Sequence, residues 1–287
     1  MAKTASRQRL LSISMFDELK HDLQLYFRLI GLEIRGQLQY RASFLMDMIS
    51  TGIILAMFFV SLYLVLERFG TIGGWRLGEI AFLYGMVEMS FGLMDMIFSG
   101  FDPGHFGLRI RKGTFDQMLL RPLPLTLQVF GSQFVMRRLG RILQGATVLI
   151  YGFTQLDITW TWGKTIYLPI VVISQVAFFG GLFIIGATIT FWTVESIEFI
   201  NIFTYGGTEM ISYPMHIYPR WMRDFFTFII PAMLINYLPA LYFLDRQAPF
   251  TVPIIGPFLA PLAGVIMLVV ALAFWRFGVK HYQSTGS

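Results

Sequence analysis

The chain has no cysteine and little charge. Without cysteine there can be no disulfide framework, thiolate metal site or thiol nucleophile. Only 14% of the 287 residues are charged, against about 25% in a soluble domain. That is too little polar surface to face water. Histidine is scarce too. His21, His105, His216 and His281 lie in separate segments, and no pair has helical metal-ligand or HExxH spacing. No GxSxG nucleophile elbow occurs. Gly163, Lys164 and Thr165 spell the end of a phosphate-binding loop, but the position that needs the first glycine holds Ile158. The expectation is a chain with no catalytic, metal or cofactor site of its own, and no nucleic-acid partner.

What is present is apolar: 55% of the residues are hydrophobic. Ile166 to Val194 and Gln247 to Trp275 contain no Lys, Arg, Asp or Glu. Each exceeds the roughly 20 residues that a spanning helix needs. The sequence predicts an all-α integral membrane protein in two parts. Residues 1–42 form a cytoplasmic amphipathic segment, and 43–287 a single transmembrane domain. In the first part Leu23, Phe27, Ile30, Ile34 and Leu38 recur at helical spacing among charges, the pattern of a helix lying on a membrane surface. The first apolar run follows without a small-residue cleavage site, so it is expected to stay in the mature chain.

Spans are predicted near 48–66, 80–99, 139–158, 168–192 and 254–275, the third with an apolar approach from about Leu125. Thr193 to Leu244 allows two readings. Phe225 to Leu244 is uncharged and could be the fifth span, although Pro231 and Pro239 interrupt it. Alternatively, 197–213 is a short fifth span and 214–244 a re-entrant element, which is tolerated where irregular backbone is buried in protein. Both give six crossings. Sixteen Lys and Arg fall on the side of the termini and four on the other, with Arg220 and Arg223 undecided. The bias places both termini in the cytoplasm.

Two sets of residues could carry function. Glu88 and Asp95 lie seven apart within the second span, on one helix face. Intramembrane acids often mark a pathway or proton relay. The plainer reading is a hydrogen bond to a neighbouring helix, or for Asp95 a place at the interface. An ion- or proton-coupled carrier using Glu88 is the alternative function these acids permit. The second set lies in the cytoplasmic stretch FDPGHFGLRIRKGTFDQMLLRPLPL from Phe101. Leu108, Ile110, Phe115, Met118 and Leu119 offer an apolar face, and Arg109, Arg111, Lys112 and Arg121 offer charge. Asp116 to Leu120 can form a short helix ended by Pro122. Such a helix suits a groove on a soluble partner, and a basic loop on anionic lipid suits it equally.

At this stretch the chain resembles the membrane subunits of type-2 ABC exporters, particularly a compact bacterial branch. The resemblance rests on Lys112-Gly113-Thr114-Phe115-Asp116 with Leu120-Arg121-Pro122-Leu123-Pro124. It continues in Phe191-Trp192-Thr193-Val194-Glu195-Ser196, Tyr205-Gly206-Gly207, Tyr213-Pro214, Ile217-Tyr218-Pro219-Arg220-Trp221 and the ending His281 to Ser287. It implies six transmembrane helices in a bacterial plasma membrane, with an interfacial helix before the first. It implies a coupling helix, carried here by Arg111, Lys112, Gly113, Phe115, Asp116, Leu119, Arg121 and Pro122. It also implies a re-entrant element after a short fifth helix, with Tyr213, Pro214, Tyr218, Pro219, Pro231 and Pro239. The partners implied are a second permease, identical or homologous, and two copies of a soluble ATPase that binds ATP and Mg. Coupling would be by alternating access.

Overall fold

The computed structural model describes residues 15–193, 198–247 and 255–284. The start of the expected amphipathic segment, Val194 to Ser196 of the FWTVES motif, and 285–287 lie outside the described residues. Those described are helical and form no strand beyond an isolated bridge between Ile72 and Trp75. Among the described residues four helices are long and apolar enough to cross a membrane: α2 (Arg41–Phe69), α3 (Leu77–Ile97), α8 (Trp162–Thr193) and α13 (Ala260–His281).

α1 (Met15–Leu38) precedes α2 and keeps large apolar side chains uncovered, Phe27 and Leu32 among them. A two-residue turn at Gln39 and Tyr40 joins the two helices. The stretch from Phe101 forms α4 (Pro103–Arg111), α5 (Thr114–Leu119) and α6 (Leu125–Gly131), followed by α7 (Leu139–Thr154). α9 (Glu198–Ile211) leads into short pieces: α10 (Arg220–Asp224), a π-turn at Phe225–Ile229, α11 (Ala232–Ile235) and α12 (Tyr237–Phe243).

Glycines set the close helix contacts. Gly78, Gly85 and Gly92 recur every seven residues on α3 and face α7. A Cβ at Gly85 would lie 2.4 Å from the Leu149 nitrogen, and one at Gly145 the same distance from the Met89 nitrogen. The two backbones therefore touch, which only glycine permits and which membrane helices use in place of hydrophobic drive. α8 and α13 meet the same way, Gly264 lying against the Ser174 backbone.

Several boundaries differ from the sequence expectation. The expected third span, 139–158, is a helix of 16 residues ending at Thr154, and the apolar approach from Leu125 is the separate helix α6. α9 has 14 residues and reaches about 21 Å, short of the roughly 30 Å hydrocarbon core. The last helix begins at Ala260, and Pro257 and Pro261 explain why. Proline clashes with the preceding turn of a helix interior, so Pro257 falls in a 3₁₀ turn and Pro261 in the first turn of α13. Ile254, the expected start, lies outside the described residues. Arg220–Ile229 and Ala232–Phe243 are bent by 75° about Pro231, and together they would supply a fifth crossing if they were one broken span.

Candidate functional site

Asp102 caps α4 by accepting from the His105 backbone at 3.0 Å. Gly113 adopts φ +64° and turns the chain from α4 into α5, a conformation that costs glycine little. The turn drives Phe115 inward. It is fully buried, with ring centroids of Phe106, Phe191, Tyr282 and Trp275 at 5.4, 5.2, 5.0 and 6.3 Å. This aromatic box joins α5 to α8 and α13. Met118 is buried beside it. The surface of the element belongs to Leu119 (45% exposed), Leu120 (86%), Arg111, Lys112, Arg121 and Pro122.

Asp116 is half-buried and is fastened from the C-terminal tail. Its carboxylate accepts from the Tyr282 hydroxyl at 2.9 Å and the Ser284 hydroxyl at 2.6 Å. Burial, then the neighbouring carboxylate, push the Tyr282 hydroxyl up to about 12. It therefore stays protonated and donating at neutral pH. Of the residues expected to meet an ATPase, Gly113, Phe115 and Asp116 hold the element together and the other five are displayed.

The two intramembrane acids are both paired. Glu88 is 1% exposed and receives two hydrogen bonds from Arg141, Nε at 2.6 Å and Nη2 at 2.9 Å. The Arg141 guanidinium also lies 4.3 Å from the centroid of the Phe91 ring. Asp95, equally buried, pairs with Arg138 at 2.7 Å. Two carboxylates of α3 thus meet two guanidiniums at the start of α7. In hydrocarbon an unpaired charge is costly, so each pair fixes the register of these helices. The arrangement supports the structural reading of Glu88, since a relay needs a group free to exchange its proton.

The proline-rich pieces are pinned at several points. Asn236, fully buried, donates to the Ile211 carbonyl at 2.7 Å and accepts from Gln175 at 3.1 Å. The Tyr218 hydroxyl donates to the Met210 carbonyl at 3.1 Å. His216 Nε2 lies 2.7 Å from the Gly73 carbonyl, so it carries the proton, and Nδ1 faces the Tyr237 hydroxyl at 2.9 Å. Trp75 stacks on Tyr237 at 5.5 Å, and the Arg246 guanidinium, paired to Glu79, lies 5.2 Å from the centroid of the Trp75 ring. Pro214 and Pro219 stand just before short helices, Pro231 at the bend, and Pro239 is buried in α12. Tyr213 is half-buried at the end of α9.

Sequence reasoning missed three participants. Arg138 and Arg141 read as cytoplasmic positive charge, and their partners lie 43 and 53 residues away in sequence, beyond any local spacing rule. Glu209 was overlooked as well. Ile202, Gly206 and Glu209 form an exposed stripe on α9, and nothing approaches Gly206 except Ile202 of its own helix. Among the described residues no salt bridge reaches Glu209. A carboxylate in the last turn of a short apolar helix was the available signal.

No curated protein and no solved structure matches the chain significantly. The family described as "ABC-2 family transporter protein" matches residues 53–286, every described helix after α1 in whole or part. That match covers the apolar helices, the buried ion pairs between α3 and the start of α7, and the exposed residues at α5. The chain belongs to the ABC-2 transporter family and is a multi-pass transmembrane permease of an ABC transporter.

Proposed function

We propose that the chain forms half of the translocation pathway of an exporter in a bacterial plasma membrane, driven by a separate soluble ATPase. It crosses six times, with α7 and the short α9 as the third and fifth crossings and both termini in the cytoplasm. The pieces from Tyr213 to Leu244 form a re-entrant element on the outside. Two permeases, identical or homologous, work with two ATPase copies that bind ATP and Mg.

The observation that carries this reading is the contrast within α5. Leu119 is exposed, as are Leu120 and Arg121 just after the helix, while Phe115 is locked against Trp275 and Phe191. A force applied to the displayed side passes through close-packed rings to α8 and α13, because packed cores move as bodies rather than deform. ATP binding closes the ATPase dimer, the docked α5 follows, and the helices reorient between inward and outward access.

The second permease is supported by the stripe on α9. Glu209 cannot face hydrocarbon without a large penalty, so this face meets a partner helix or the wet pathway between the permeases. α2, of which only Leu62 and Leu66 are buried, has ample surface for lipid and partner alike.

Co-expression with a candidate soluble ATPase tests the reading. The chain alone should hydrolyse no ATP, and the two should purify together through detergent washing. ATP hydrolysis by the isolated permease, or failure to retain any nucleotide-binding subunit, would refute it.

A further inference from the structure

A polar cavity of about 430 Å³ lies at the elbow between α1 and α2, lined by Glu33, Gln37, Tyr40, Asp47, Gln133 and Arg137 among others. Gln37 builds its wall. The side-chain amide of Gln37 donates to the Phe134 carbonyl, and its oxygen accepts from the Met136 backbone at 3.0 Å. This clamps α1 to the segment that precedes α7. The cavity is therefore bounded by an interfacial helix, the opening turns of an apolar helix and a basic loop.

Its charges are of both signs and are separate. Among the described residues neither Glu33, Asp47 nor Arg137 forms a salt bridge. Burial raises the Glu33 carboxyl above its ordinary value and the field of Arg109 opposes the rise. Asp47 and Arg137 are exposed. Asp47 stands two turns into α2, about 9 Å along the helix from Arg41, the depth of lipid headgroups at the end of a span. Tyr40, 74% exposed, supplies a ring face at the rim, and aromatic faces attract ammonium groups.

We propose that this elbow binds the zwitterionic headgroup of an aminophospholipid from the cytoplasmic leaflet. The headgroup joins a phosphate to a primary ammonium, and the cavity offers one guanidinium beside two carboxylates. Arg137 takes the phosphate, for which a guanidinium is suited. Asp47 and Glu33 take the ammonium, with Tyr40 against it. The acyl chains run along the exposed apolar flank of α2. An anionic lipid without an amine would satisfy Arg137 and leave the carboxylates opposed by like charge. The inference does not depend on the transport cycle, since it concerns only how this chain sits in its membrane.

Native mass spectrometry of the full chain in detergent, with matched phosphatidylethanolamine and phosphatidylglycerol, tests it. Phosphatidylethanolamine should be retained about tenfold more than phosphatidylglycerol, the effect of one added charge-assisted contact. Asp47→Asn should erase that preference, and Arg137→Gln should weaken both lipids. The comparison on the unaltered chain stands even if a variant fails to fold. Equal retention of the two lipids would overturn the proposal. So would displacement of the lipid by equimolar glycerophosphoethanolamine, because the occupant would then be a free solute.

Discussion

The Tyr282 hydroxyl donates a 2.9 Å hydrogen bond to Asp116, tying the end of the chain to the short helix that displays Leu119 and Leu120. The bond spans 166 residues in sequence and closes one side of the aromatic box. Tyr282→Phe keeps the ring on Phe115 and removes only the bond. It should lower thermal stability by about 1 kcal/mol, read from the loss of monodisperse protein on heating. Phe115→Ala, which empties the box, should cost about 3 kcal/mol or more. Equal stability of the two variants would show that the box is not packed as described.

The Glu88–Arg141 pair separates two accounts of the intramembrane acid. As a structural brace, Glu88→Gln leaves a buried guanidinium without its counter-charge and should destabilise by about 3 kcal/mol. Glu88→Gln combined with Arg141→Gln should recover part of that loss, because a neutral amide pair leaves no orphan charge. A fully stable Glu88→Gln protein would favour the proton-coupled carrier instead. Thermal stability of the three variants in one detergent decides between them.

Close approach of α3 and α7 makes a steric prediction. Gly145→Ala places a methyl 2.4 Å from the Met89 nitrogen, and the backbone there has no room to yield. The expected cost is about 1–3 kcal/mol. Gly31→Ala, where nothing lies within 4 Å, should be neutral or slightly stabilising, since alanine favours helix. Similar effects at both sites would contradict the helix contact.

Lys164 and Asp245 give a pH dependence on the face opposite the tail. Lys164 Nζ donates to Asp245 at 2.7 Å and to the Phe243 carbonyl at 3.0 Å. The hydrogen bond from Lys164 holds the Asp245 carboxyl below its ordinary value. A carboxyl lowered by folding stabilises the fold above its unfolded value, about 3.9, and loses that contribution as pH falls through the folded one. Asp245 is mostly exposed, so the effect is small. Asp245→Asn should flatten the stability profile below about pH 4. An unchanged acid limb would exclude the pair as its source.

Much of the fold is legible in the pattern of charge. α8 takes up nearly all of the uncharged run from Ile166, with Lys164 in its first turn, and covers the expected span with several residues added before it. Prolines moved the start of α13, because hydropathy counts Pro257 as tolerable in a span and backbone geometry does not. α9 falls close to the short reading of the fifth crossing, where length rather than composition is what hydropathy judges poorly. The stretch from Phe101 to Leu125 is legible as an element but not as a surface. Phe115 and Leu119 lie four apart and look alike in sequence, yet the left-handed turn at Gly113 buries one and displays the other. The partners of Glu88 and Asp95 were hidden by distance along the chain.

Docking at α5 is the central claim, and Leu120 tests it most directly. At 86% exposed, Leu120 contributes little to the fold, so Leu120→Asp should leave expression and melting unchanged. In the purified complex the account predicts at least a tenfold loss of ATPase retention, the scale of about 1.4 kcal/mol for an apolar anchor at an interface. Undiminished retention of the ATPase by the folded Leu120→Asp chain would contradict it.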